Sequence, residues 1–141
     1  MKRDGKHVLI DYEEVNILDG DIPELAIIQL GFRRRKMSSY KFDQLTNKKI
    51  YIEEDVKDTC DVEIPKNFLW QNFEFILVGV FCHHGPEPSS GHFTNYLKHN
   101  DEWYHHNDDI CTKCNIDDFL PLVRGGSSQT CCAVVYRTRR L

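Results

Sequence analysis

The chain has 141 residues, the length of about one domain, so a single domain is expected over 1–141. Its 18 basic and 22 acidic side chains leave a formal charge of −4, which excludes a general nucleic-acid binder, since that needs a basic face to displace counterions. At 40% hydrophobic and 28% charged residues the composition is globular, and a chain this long can bury roughly 68–70% of its unfolded surface.

The longest apolar run, Phe75 to Cys82, is far short of the roughly 20 residues that span a bilayer. Asp11, Glu13 and Glu14 interrupt the N-terminal segment, so no secretory leader is expected and the six cysteines read as free thiols in a reducing compartment. Pro23 to Phe32 reads as a buried strand, apolar on both faces, running into a solvated charge run at Arg33–Lys36. Lys49–Glu53 and Cys60–Ile64 mix polar and apolar residues as half-buried strands do. Phe68 and Trp70 precede the main strand as core or edge packing. Phe73–Cys82 is almost without polar interruption and is expected to lie centrally, covered on both faces.

Gly85 to Gly91 is a loop by its prolines, glycines and serines. His92–His99 and Glu102–His106 predict a hairpin around Asn100-Asp101. Asn115 to Leu120 reads as a short capped helical turn, Gly125–Ser128 as a loop, and Cys131–Arg137 as a last strand. Strands dominate, so the expected fold class is α+β, mostly an antiparallel sheet with minor helical trim.

Six of the seven histidines fall between His83 and His106. With a turn near Asn100, His92 faces residues between Asn107 and Asp109, and directly opposed side chains sit about 4.5–5.5 Å apart at Cβ on one face. A partner on one ring nitrogen fixes an imidazole's tautomer and leaves the other nitrogen to take a proton, which is what a general base needs. Gly91 beside it removes a side chain where a substrate backbone has to come close.

Three strings, Val80-Phe81-Cys82-His83-His84-Gly85, Ser90-Gly91-His92-Phe93-Thr94-Asn95-Tyr96 and Trp103-Tyr104-His105-His106-Asn107-Asp108-Asp109, resemble the histidine and aspartate boxes of the ubiquitin-specific proteases. These are papain-like cysteine peptidases that cleave ubiquitin from its conjugates. Ile22 to Arg33 is similar to the family's Leu-Pro-x-x-Leu strand with its terminal Arg-Phe inverted, and Cys131 to Arg139 is similar to its closing strand. The resemblance spans about 22–140.

It implies the palm portion of the papain-like domain, lacking the thumb, with His92 as base, Asn107 orienting it and Asp108 supporting the site. It also implies Gly91, Phe93 and Trp103 along the substrate, although Trp103 serves equally as a hairpin anchor. The implied partner is ubiquitin or a ubiquitinated protein, with no nucleic acid, membrane or cofactor, in the cytoplasm or nucleus.

The family's nucleophile sits in a Gly-x-x-Cys-Tyr/Phe string opening a helix, and no cysteine here has that setting. Three readings follow: the C-terminal half of a deubiquitinase that is inactive alone, a degenerate ubiquitin-interacting module, or a small metal-stabilised domain. For the third, Cys111 and Cys114 with Cys131/Cys132 or His105/His106 offer zinc-type ligands, but adjacent strand residues point to opposite faces, so no metal is expected. A palm without its thumb is also expected to expose apolar surface and to self-associate. Arg137, Arg139 and Arg140 read as a solvated basic end.

Overall fold

The computed structural model describes residues 22–31, 33–57, 61–124 and 129–141, together with two short paired strands, β1 (Lys2–Arg3) and β2 (His7–Val8). The main sheet has the order β10-β9-β8-β7-β11-β3, all antiparallel, with β6 beside β7. These strands are β3 (Leu25–Gln29), β6 (Asn67–Trp70), β7 (Phe73–His84), β8 (His92–His99), β9 (Glu102–Asn107), β10 (Ile110–Cys114) and β11 (Gln129–Arg140). A separate ribbon pairs β4 (Arg33–Phe42) with β5 (Lys49–Lys57), and one helix, α1 (Ile116–Val123), completes the described residues.

β7 is central because its apolar run lets both edges pair. β11 runs along its whole length, while β6 and β8 share the other edge. Two bulges change which residues share a face: Leu77 and Gly79 pair successive β11 residues, leaving Val78 extra, and Cys132 is extra between Cys131 and Ala133. The first is why Phe75 and Leu77 lie in the core together with Val80 and Cys82, despite the change of parity.

α1 covers this face. Asn115 caps it by accepting from the Asp117 amide at 2.9 Å, and Asp117 and Asp118 complement the positive end of its dipole. Phe119 stacks on Tyr96 with centroids 4.0 Å apart and meets Trp103 edge-on at 5.2 Å. A second aromatic group, Phe68, Phe75 and Tyr136, fills the far end, and the Tyr136 hydroxyl donates to the Pro65 carbonyl at 2.8 Å.

The opposite face is largely bare. Ile27 is 73% exposed and Phe93 57%, and a groove of 590 Å³ lies between Gln29, Gly31, Arg33, Phe81, Phe93 and Ala133. β3 is therefore an edge strand with an open face rather than the doubly buried strand its apolar sequence predicts. Arg33–Lys36 opens a ten-residue strand, the strand end rather than the loop that its charge run allows, and the ribbon is exposed over most of its length instead of half-buried. Residues 61–64 form no strand, although Ile64 is buried, and Cys60 and Gly125–Ser128 lie outside the described residues. The predicted hairpin is present, with Asn100 and Asp101 both at positive φ, 48° and 64°, as a tight two-residue turn needs. No helix among the described residues is long and apolar enough to cross a membrane.

Candidate active site

His92 opens β8, and Asn107 closes β9. The ladder between these strands runs from His99↔Glu102 to Asn95↔His106, and β9 then leaves it through a turn with Asp108 at φ 52°. Continuing the ladder by one step sets Asn107 against Thr94, so His92 meets Asn107 diagonally on the same face, still within reach of a long side chain. His92 Nε2 lies 2.6 Å from Asn107 Oδ1, and Asp108 Oδ2 is 3.9 Å from the same nitrogen. An amide oxygen only accepts, so Nε2 carries the proton and donates it to Asn107. The neutral ring then keeps its lone pair on Nδ1. A ring held in this tautomer has one nitrogen able to take a proton, and the Asp108 carboxylate lies beside the ring.

His84 is the Cα partner of His92 on β7, and their rings are 6.2 Å apart. His84 Nε2 and Thr94 Oγ1 are hydrogen-bonded at 2.6 Å. Burial, and then the neighbouring His92, hold the His84 imidazole below its ordinary value, which favours its neutral form beside His92. Alternation along the hairpin could have shown that His84 and Thr94 share the face of His92; no role attached to them in the sequence.

The glycine at 91 has a geometric cause. Its φ is 125°, and a Cβ there would sit 2.0 Å from the His84 carbonyl oxygen. A side chain is excluded by the loop's own packing, before any substrate is considered. Phe93 points to the opposite face from His92 and meets His83 edge-on at 5.0 Å, beside the open groove. Trp103 is 6% exposed against Phe119, so its position is that of the hairpin anchor.

Of the described cysteines, Cys82 and Cys131 pair across β7 and β11 in the core. Burial pushes the Cys131 thiol up to about 12 and the Cys82 thiol up further, which makes both inert. Burial raises Cys132 and Cys114 as well. Cys111 is exposed on β10 with its sulfur 3.9 Å from His106 Nε2, and His106, next to Asn107 on a strand, faces the other way. Among the described residues no group of three His, Cys, Asp or Glu side chains is placed to hold a metal ion.

The mostly antiparallel sheet with its single short helix is part of a papain-like peptidase domain, the palm of the ubiquitin-specific type. The family model for ubiquitin carboxyl-terminal hydrolases matches residues 15–130, and the chain belongs to that family. Two solved structures of the SAGA DUB module, composed of Ubp8, Sgf11, Sgf73 and Sus1, share the fold. One, with a substituted Ubp8 and a shortened Sgf11, has a TM-score of 0.58 and the other 0.53. Each is 16% identical over 84% of this chain, and the chain spans 24% of the matched chain in each.

Proposed function

We propose that this chain is the base-bearing half of a thiol-dependent deubiquitinase, acting on the isopeptide bond after the C-terminal glycine of ubiquitin. The observation that carries the reading is the 2.6 Å contact between His92 Nε2 and Asn107 Oδ1 in a chain of this family. His92 Nδ1 takes the proton of a cysteine thiol, and the thiolate adds to the glycine carbonyl carbon. The tetrahedral adduct collapses as the imidazolium returns that proton to the departing lysine amine, leaving an acyl-thioester that water hydrolyses. Asn107 holds the ring through both transfers, and Asp108, 3.9 Å from His92 Nε2, supports the site.

The nucleophile comes from outside these 141 residues: no cysteine of the sequence sits in the family's Gly-x-x-Cys-Tyr/Phe string, and the described ones are buried, raised in pKa, or on the face away from His92. The domain is a single partial one, works inside the cell, in cytoplasm or nucleus, and its partner is ubiquitin or a ubiquitinated protein. The inert thiols also favour a second reading, a non-catalytic module that binds ubiquitin.

Ubiquitin bearing a thiol-reactive C-terminal group separates the two. Labelling of the intact native protein, lost in His92→Ala, supports the enzyme; ubiquitin binding without labelling supports the module. The 141-residue chain alone is expected not to hydrolyse a ubiquitin–fluorophore conjugate. Turnover by it that disappears in His92→Ala would reveal a nucleophile within the chain and overturn this assignment.

A further inference from the structure

The loop that delivers His92, residues 85–91, is held through its backbone carbonyls, by donors from the root of the β4–β5 ribbon and from His83 on β7. Arg33 and Lys57 are Cα partners at that root, the first residue of β4 against the last of β5. Lys57 is 7% exposed, and its Nζ donates to the carbonyls of His83 at 3.0 Å and Gly85 at 2.7 Å. Arg33 Nη2 donates to the Pro88 carbonyl at 2.8 Å. His83 Nε2 donates to the Ser90 carbonyl at 2.9 Å. The loop's two ends abut, since a Cβ on Gly85 would stand 3.4 Å from the Gly91 Cα. Burying an ammonium is costly, and two carbonyl oxygens accept from this one.

We infer that Lys57, with Arg33, is a positioning residue for the base: the ribbon root clamps the loop carbonyls and so fixes the backbone at Gly91 from which His92 reaches Asn107. The inference rests on the proposed function in treating His92 as the base. Removing the Lys57 ammonium leaves two inward carbonyls without that donor and frees the loop to rotate, while the β7–β11 pairing that builds the sheet is untouched.

The test is imidazole and amide NMR on the full 141-residue chain without ubiquitin, so it stands or falls independently of any deubiquitinase assay. In the unsubstituted chain the nitrogen shifts of His92 report one tautomer, protonated at Nε2. In Lys57→Met those shifts move towards a mixture of tautomers, and the amides of Glu87, Ser89, Ser90 and Gly91 exchange about tenfold faster, while those of Val80 and Val134 keep their protection. Lys57→Arg, which still donates, restores both readings.

A folded Lys57→Met with unchanged His92 shifts and loop exchange overturns the inference. If Lys57→Met does not fold, Arg33→Gln decides it: faster loop exchange with altered His92 shifts supports the clamp, and no change in either refutes it. A purely structural lysine would lower stability across the sheet without selecting the loop or the His92 tautomer.

Discussion

At the scale of single residues the site depends on backbone geometry as much as on functional groups. Gly91 illustrates this. Alanine there would need both a positive φ and a Cβ inside the radius of the His84 oxygen. Gly91→Ala is expected to cost roughly 2–4 kcal/mol, from backbone strain and overpacking together, read as a lower urea midpoint. An unchanged midpoint would show that the loop can relax around the methyl group. The turn at Asn100-Asp101 narrowed the partner of His92 to residues 107–109, and only the resemblance to the family singled out Asn107 among them. The diagonal contact was not legible in the sequence, because it depends on β9 leaving the ladder at Asp108.

Among the elements, the helix matters out of proportion to its eight residues. Phe119 is its only large aromatic contact with the hairpin, wedged against Tyr96 and Trp103, and Tyr96 in turn stacks on His105 at 4.4 Å. Phe119→Ala is expected to cost about 3–5 kcal/mol, as buried phenylalanine truncations do. Thermal unfolding measures the loss, and a change below about 1 kcal/mol would mean the helix is not what closes this face. The sequence revealed the helix through its Asn115 cap and the hairpin through its turn residues, both local signals. It misjudged β3 and the ribbon, whose apolar and charged residues carry no local record of which neighbour covers them. Lys57 had no sequence signal at all, since its acceptors are backbone carbonyls 26 and 28 residues away.

For the whole molecule, three histidines make stability depend on pH. Burial chiefly holds His83, His84 and His105 below their ordinary value of 6.5, so the folded chain binds fewer protons than the unfolded one. Their contribution is full above about 6.5 and is lost as pH falls through the depressed folded values. The urea midpoint is expected to drop between about pH 7.5 and 5, and a flat profile would contradict neutral burial of these rings. On the alkaline side the raised Cys82 and Cys131 thiols act oppositely: their contribution is full below 9.0 and is lost as pH climbs from there towards their folded values. The open face around Ile27, Phe81 and Phe93 predicts self-association, seen as a concentration-dependent sedimentation coefficient; a single monomeric species at high concentration would argue that the patch is too small to pair.

By itself the sequence determined the central strand, the hairpin, its turn, the helix cap and the family, because hydrophobic runs, turn residues and ordered motif strings are recorded along the chain. Tertiary structure alone decided which face each residue takes. Two single-residue bulges reset the alternation in β7 and β11, and the ribbon root reaches the loop before His92 through contacts no local pattern encodes. Side-chain parity accumulates along a strand, so one inserted residue reverses everything beyond it.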